Sequence, residues 1–213
     1  MIELNIQDEI AYLNLKPEDR FNILNTSTIK EIIAKIKVLI DSPVKVIRIF
    51  GEGGSFAVGA NIRTMLGYSG YDAKGFSRLG NRLFNLLQEL PQVVIAEIDG
   101  FCMGGGVDFA ASADFRFATK KSKFAHPGSK LGIITGFGGT QRIPRLMKFS
   151  YYQEFFITGD LYDAKFLYEG GFLLKIFEDK ATMRSFVDEF VKKIINKNRV
   201  HIYYLKQMVN KGR

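Results

Sequence analysis

Apolar and polar positions alternate at the start of the chain and then change to helical and fully apolar patterns. Residues 2–6 and 9–15 alternate, which predicts two short strands joined as a hairpin. Apolar residues at helical spacing follow over 26–40, behind Thr-Ser-Thr and before Asp41-Ser42-Pro43, which predicts an amphipathic helix. The run VKVIRIF at 44–50 is apolar and β-branched, which predicts a buried strand.

The alternation of strand and helix continues through the middle of the chain. A second helix is predicted over 73–89, and the apolar run at 92–100 predicts a second buried strand. From residue 138 onward helical patterns dominate, interrupted by the strand-like FLLKIF at 172–177. This order predicts an α/β protein with largely parallel strands and right-handed crossovers.

Composition narrows the class of protein. The chain has 213 residues, of which 46% are hydrophobic and 24% charged, as expected for a globular protein with one core. No apolar run reaches the roughly 18 residues of a membrane span, and the start of the chain resembles neither a signal nor a transit peptide, so we expect a cytoplasmic protein without a membrane partner. The single cysteine, Cys102, and the distant His126 and His201 allow neither a disulfide framework nor a zinc-type site, and no metal is expected.

The positive charge is concentrated at the C-terminus. The net charge is +8, from 30 basic and 22 acidic residues, and no acid occurs after Lys192. This tail is either a solvated helix face or a surface for an acidic partner such as a phosphorylated cofactor or a nucleic acid. Because the chain has no RNP-type or helix-turn-helix pattern, we expect no nucleic-acid partner. The basic residues of the tail are Lys192, Lys193, Lys197, Arg199, Lys206, Lys211 and Arg213.

Two glycine-rich loops carry candidate chemistry. GEGGSFAVGAN at 51–61 and FCMGGGVDF at 101–109 each follow a predicted strand and open a predicted helix. Backbone N–H groups lack partners at a helix start, and glycine allows close approach, so two such loops can aim their amides at one oxygen. Neither loop has the Walker or the dinucleotide-binding pattern. Tight packing of helix on strand is the alternative interpretation of these glycines.

Several segments together resemble the crotonase, or enoyl-CoA hydratase/isomerase, superfamily. They are FAVGANIRTM, the glycine triplet with its following acid, ADFRFA, KFAHPGSKLGIITGFGGTQRIPRLM and FFITGDLYDAKFLYEGGFLLKIF, and they span nearly the whole chain. The resemblance implies a crotonase-like α/β spiral of ββα units at 1–145, followed by a helical C-terminal region of the same domain at 146–213, basic from about residue 192. It also implies a homo-oligomer, a trimer or a hexamer, although the family helices that build it lie beyond the end of this shorter chain.

The chemistry that the resemblance implies is binding of an acyl-CoA thioester. Its enolate oxygen would accept hydrogen bonds from the backbone amides of Ala60 and Gly105. Asp108 occupies the first of two glutamate positions of the family hydratases and is the expected acid/base, or else it is a helix N-terminal acid. The second position is Gly128, so the second acid is missing. His126 can substitute as acid or base, or it is a structural histidine.

Hydration and double-bond isomerisation are the expected reactions. A single carboxylate can serve twice in a 1,3-proton shift, and hydration is harder with one acid. Another enolate reaction, such as decarboxylation, ring cleavage or hydrolysis, and a non-catalytic acyl-CoA-binding protein are the alternatives. No cofactor is expected, because CoA is part of the substrate. The substrate-binding positions that the resemblance implies are Asn22, Phe56, Ala57, Asn61, Ile62, Arg63, Gly104, Gly128 and Gly138.

Three of these positions have specific roles by resemblance. Asn61 replaces the usual aspartate of the first loop, and we expect it to keep a hydrogen bond while losing a charge. Arg63 is expected near the CoA phosphates, or it is solvated. Gly138 opens a predicted helix that faces the acyl chain, with helix packing as the alternative.

Overall fold

Repeated strand–strand–helix turns build the chain. The computed structural model describes residues 1–211. The first two strands both join a larger sheet before the first long helix. In each of the next three turns one strand joins the larger sheet, the next short strand joins a smaller sheet, and a helix follows, as in the predicted spiral of ββα units. The strands are β1 (Ile2–Gln7), β2 (Ile10–Leu15), β3 (Val46–Gly51), β4 (Ser55–Ala57), β5 (Val93–Ile98), β6 (Phe101–Met103), β7 (Phe115–Thr119), β8 (Lys123–Ala125), β9 (Tyr162–Asp163) and β10 (Lys175–Phe177). The helices are α1 (Thr26–Lys37), α2 (Ile62–Met65), α3 (Gly70–Glu89), α4 (Gly105–Ala111), α5 (Gly128–Leu131), α6 (Gly139–Arg142), α7 (Phe149–Thr158), α8 (Ala164–Glu169), α9 (Lys180–Ile195) and α10 (Arg199–Lys211), with a 3₁₀ turn at Ile143–Arg145.

Both sheets are largely parallel, as predicted. The larger sheet has the order β1-β2-β3-β5-β7-β10, and its neighbours run parallel apart from the predicted β1–β2 hairpin. The smaller sheet has the order β4-β6-β8-β9, parallel up to the antiparallel β8–β9 pair. Because β4, β6 and β8 are parallel neighbours, the loops that leave them meet at one edge of the smaller sheet.

The larger sheet is buried on both faces, which explains why its central strands are continuous apolar runs. Successive residues of β3 point to opposite faces: Ile47 and Ile49 pack in the main core with α1 and α3, whereas Val46 packs in a second cluster. Helix α9 covers that second face with Val187 and Val191. The core therefore has a layer of helices on each side of the sheet.

An ion pair is buried beneath α9. Arg48 of β3 is 4% exposed and its Nε donates to Glu97 of β5, which is 1% exposed, at 2.5 Å. Its Nη1 donates to Asp188 of α9. Burial opposes the charge on Arg48, but the hydrogen bonds to Glu97 and Asp188 outweigh it and raise the pKa of the guanidinium. Arg48 therefore ties α9 to the sheet.

Helix α1 begins at Thr26, as predicted, but its N-cap and its C-terminal end differ from the prediction. The N-cap of α1 is Asn25, whose side chain accepts from the backbone N–H of Thr28, and not the Thr-Ser-Thr cluster that follows. The helix ends at Lys37, and residues 38–41 form turns. Helix α3 begins at Gly70, earlier than predicted, because Ser69 and Asp72 form a capping box.

The region after residue 146 adds strands as well as helices. Strand β9 joins the smaller sheet and β10 joins the larger one, so this region completes both sheets. Lys206 of α10 is buried, forms an ion pair with Asp114 at 2.8 Å and donates to two backbone carbonyls. Arg199 donates to the carbonyls of Ile40 and Ser42. These two tail cations hold α10 on the body, and Arg213 lies outside the described residues.

Replacing Arg48 with methionine tests the buried ion pair. Arg48→Met leaves the Glu97 carboxylate buried without its cation, so we expect the free energy of unfolding to fall by about 3–5 kcal/mol. The exposed Arg82 of α3 provides the control, and Arg82→Met is expected to change stability by less than about 0.5 kcal/mol. Urea unfolding of both variants measures the difference. Equal, small losses would contradict the stabilising role of the pair.

Candidate functional site

A cavity of about 330 Å³ lies where the loops after β4, β6 and β8 meet. Its wall contains glycine backbone, apolar side chains and three residues with polar side chains, Ser77, His126 and Thr135. Helix α3 closes one side with Phe76 and Ser77. The two glycine loops that the sequence singled out therefore face the same space.

The two glycine loops are in direct backbone contact. Gly59 has a φ of +77°, and a Cβ at this position would lie 2.8 Å from the backbone nitrogen of Gly105. A Cβ on Gly106 would lie 1.9 Å from the carbonyl oxygen of Ala57. Only glycine fits at either position without moving backbone. The glycines thus serve close packing, and that packing in turn brings the two loops together at the cavity.

Two backbone amides face the cavity without an acceptor. Ala60 and Gly105 both line it. Gly105 is the first residue of α4, so its N–H has no acceptor within the helix. Within residues 1–211, neither the Ala60 N–H nor the Gly105 N–H donates a hydrogen bond. The structure therefore brings together the two predicted donors, and their role toward an oxyanion stays a prediction.

Asp108 lies behind the cavity wall. Its side chain is fully buried and is not part of the lining. One carboxylate oxygen, Oδ1, lies 3.1 Å from Nε2 of His126, and Oδ2 accepts from the hydroxyl of Thr135. Gly139 leaves room for it, since a Cβ there would lie 1.8 Å from Oδ1. His126 and Thr135 separate the predicted acid/base from the cavity.

His126 spans the space between Asp108 and the cavity. Its ring stacks on Phe156 with 4.3 Å between the ring centroids. Nε2 faces Asp108, whereas Nδ1 lies toward Gly128, where a Cβ would be 3.9 Å from it. Nδ1 has no hydrogen-bond partner in the part of the chain that the structure describes. The sequence left the role of this histidine open, and the structure places it at the site.

The backbone around Gly128 leaves no room for a side chain at this position. Gly128 lines the cavity, and its carbonyl accepts from the backbone N–H of Ile133 at 2.8 Å. A Cβ on Gly128 would lie 2.4 Å from the carbonyl oxygen of Ile133. A side chain at the position of the family's second acid would therefore require the 128–133 turn to move.

Three predicted substrate-binding residues are buried in the first glycine loop or against it, and they do not line the cavity. The amide of Asn22 is buried and donates to the carbonyls of Glu52 and Ser55, both at 2.9 Å. Phe56 is buried against Phe109, and Ala57 is fully buried. Any contact of these residues with a ligand would have to use the backbone, and their assignment stays a prediction.

The remaining predicted positions divide between the cavity and the surface. Gly104 and Ile62 line the cavity. Asn61 caps α2 by accepting from the N–H groups of Arg63 at 3.0 Å and Thr64 at 3.3 Å, and does not line the cavity, so its role toward a substrate stays a prediction. Arg63 is exposed and lies outside the cavity wall.

Gly138 has a packing environment. Its φ is +80°, and a Cβ would lie 2.4 Å from Nη1 of Arg142, away from the cavity lining. Arg142 is buried, and its Nη1 donates to the carbonyl of Phe137 at 2.7 Å. Burial lowers the pKa of Arg142, whereas the charge of Asp108 opposes that change. This cluster fixes Phe137, a wall residue that the sequence patterns did not single out.

Cys102 is fully buried in β6 and does not line the cavity. Burial and, secondly, the charge of Asp108 raise the pKa of its thiol.

The described residues contain no group of three or more His, Cys, Asp or Glu side chains that could hold a metal ion. No helix among them is long and apolar enough to cross a bilayer.

Comparison with known proteins identifies similar chains. The family model for enoyl-CoA hydratase/isomerase matches residues 5–213. The chain is 32% identical to the crotonyl-CoA hydratase of Syntrophomonas wolfei over 213 residues, covering 99% of this chain and 82% of that one. It is also 32% identical to the short-chain-enoyl-CoA hydratase of Clostridium acetobutylicum, covering 98% and 80%. The crystal structure of an enoyl-CoA hydratase from Bacillus anthracis has a TM-score of 0.92 at 24% identity, covering 99% and 83%, which confirms the crotonase-like fold.

The burial of Cys102 predicts a protected thiol. Because the chain contains one cysteine, a thiol reagent such as DTNB reports on Cys102 alone. We expect the folded protein to react on the order of 100-fold more slowly than the urea-unfolded protein, since the thiol is buried and its thiolate disfavoured. A folded protein that reacts as fast as the unfolded one would show that the site is more open than the structure indicates.

Proposed function

Because the chain belongs to the enoyl-CoA hydratase/isomerase family, we propose that it adds water to the double bond of a 2-enoyl-CoA thioester by way of an enolate. Two similar relatives are named as a crotonyl-CoA hydratase and a short-chain-enoyl-CoA hydratase, and these names support hydration of a short acyl chain. Movement of the double bond between 3-enoyl and 2-enoyl thioesters uses the same enolate and is the second candidate, favoured by the missing second acid.

One observation carries this proposal: two backbone N–H groups without acceptors face one cavity. The thioester carbonyl oxygen would accept from the amides of Ala60 and Gly105. Attack at C3 moves negative charge onto that oxygen, and donors already in place stabilise the charge without reorganisation. Losing one such donor costs on the order of 3 kcal/mol in the barrier.

The cavity also suits an acyl chain. Ile62, Phe76, Ile133 and Phe137 give most of its wall an apolar surface, and its volume is about 330 Å³. Apolar side chains around the reacting carbons exclude bulk water and strengthen the interaction of the amides with the enolate. Proton movement would depend on the part of the wall that contacts Asp108, because the described lining contains no Asp or Glu and Asp108 bonds to two of its residues, His126 and Thr135.

Mass spectrometry with a panel of thioesters in D₂O tests the proposed reaction. The panel holds saturated, 2-enoyl, 3-enoyl, dienoyl and malonyl-type CoA thioesters. We expect a 2-enoyl substrate to gain one molecule of water, with deuterium at C2. Asp108→Asn is expected to lower kcat by about 10²-fold or more, because proton transfer at this wall depends on the carboxylate. The exposed Asp41 gives the control, and Asp41→Asn is expected to leave turnover unchanged.

The other outcomes of this panel distinguish the alternatives. Deuterium uptake with movement of the double bond but no water gain identifies an isomerase. Loss of carbon dioxide or release of free CoA identifies another enolate reaction. Binding of every thioester without any change of mass contradicts the enzymatic proposal and favours an acyl-CoA-binding protein.

Gly106→Ala tests the amide pair without changing a polar side chain. The new Cβ would meet the carbonyl of Ala57 at 1.9 Å and push the two loops apart, so we expect kcat to fall by about 10²-fold. Gly75→Ala is the control, because a Cβ at this exposed position of α3 meets nothing within 4 Å. It is expected to leave kcat unchanged and to stabilise the helix slightly. Similar kcat values for both variants would argue against a geometric requirement at the loop contact.

A further inference from the structure

The buried position of Asp108 leaves the proton-transfer atom at the cavity unassigned. Both of its carboxylate oxygens have partners, His126 at 3.1 Å and the hydroxyl of Thr135, and its side chain has no exposed surface. A proton moving between the cavity and Asp108 must therefore pass through one of these two side chains.

The hydroxyl of Thr135 is a poor route for this proton. It donates its only hydrogen to Asp108 and accepts from the backbone N–H of Phe137 at 3.2 Å. Its hydrogen therefore points away from the cavity, and taking a second proton would require both hydrogen bonds to break.

The ring of His126, unlike the hydroxyl of Thr135, has a nitrogen free to exchange a proton. Its Nε2 faces the carboxylate, which accepts only, so the neutral ring carries its hydrogen on Nε2 and leaves the lone pair on Nδ1. Nδ1 lies toward Gly128, whose backbone lines the cavity, and has no partner in the part of the chain described. Stacking on Phe156 holds the plane of the ring.

We propose that Nδ1 of His126 is the acid/base that meets the substrate, and that Asp108 is a positioning residue that acts through it. This inference rests on the proposed enolate chemistry. It assigns the task of the second acid, whose position is Gly128, to His126, which lies two residues earlier and lines the same cavity.

The hydration step balances with this one base. Nδ1 takes a proton from water as the water oxygen bonds to C3, and the C2–C3 π electrons move toward the carbonyl to form the enolate. Ala60 and Gly105 hold the enolate oxygen, and Asp108 stabilises the imidazolium through Nε2. The imidazolium then returns the proton to C2, so that one C–O and one C–H bond replace the C2–C3 π bond and one O–H bond.

Kinetics of matched variants test the assignment. We expect His126→Gln to lower kcat by about 10²-fold or more with KM changed by less than about threefold, since glutamine cannot exchange a proton. The exposed His201 supplies the control, and His201→Gln is expected to keep wild-type kcat. Thr135→Val is expected to lower kcat by less than about tenfold. An active His126→Gln variant together with an inactive Asp108→Asn or Thr135→Val variant would overturn the inference and leave the proposed function intact.

Chemical rescue covers the case in which His126→Gln is damaged in folding. His126→Gly removes the ring from the cavity wall, and added imidazole is expected to restore at least about tenfold in turnover, because the free base can take the place of the missing ring. The same imidazole is expected to do nothing for Asp108→Asn. A folded His126→Gly variant that imidazole does not rescue counts against the assignment.

A spectroscopic test does not depend on turnover. The chain has two histidines, so the His201→Gln variant gives an imidazole ¹⁵N spectrum of His126 alone. We expect the neutral ring to carry its hydrogen on Nε2, and Asp108→Asn to alter this pattern. Addition of crotonyl-CoA is expected to shift the Nδ1 resonance. A hydrogen on Nδ1 would overturn the inference, whereas a wild-type chain that changes no thioester would refute only the proposed reaction.

Discussion

The contact between two stretches of backbone determines the rest of the site. Gly59 lies against the nitrogen of Gly105, and Gly106 lies against the carbonyl of Ala57, at distances that exclude a Cβ. The parallel pairing of β4 with β6 brings the two loops to one edge of the smaller sheet, and the glycines let them close the remaining gap. Two amides are left facing one cavity as a result.

The same contact fixes a carboxylate in the interior. Asp108 follows the glycine triplet on α4, so once α4 is packed against β4 its side chain has no route to solvent. A buried carboxylate is costly unless it is hydrogen-bonded, and here His126 and Thr135 supply the bonds while Gly139 supplies the space. The two unpaired amides and the buried carboxylate therefore have a common structural origin.

Much of the fold could be predicted from the sequence because it depends on periodicity. The hairpin, the buried strands and the glycine loops all follow from patterns of apolar residues and turns, and the family resemblance supplied Asp108. The start of α3 was missed because the side chain of Ser69 caps it, and Asn25 was missed as the N-cap of α1 although the start of that helix was predicted correctly, because capping depends on the geometry of one side chain. Thr135 was missed since a single polar residue in a loop has no period. The burial of Lys206 could not be predicted either, since a run of basic residues is equally typical of a solvated helix face.

Gly128 and His126 lie close together in the wall of the cavity. A side chain at Gly128 would run into the carbonyl of Ile133, so a second acid cannot be restored there without rebuilding the turn. Because Gly128 has no side chain, nothing projects from this position toward Nδ1 of His126, from which a Cβ would lie 3.9 Å. In the mechanism that we propose, the imidazole against the buried carboxylate forms one coupled proton-transfer pair, because the ring can exchange a proton with the cavity while Asp108 stays buried.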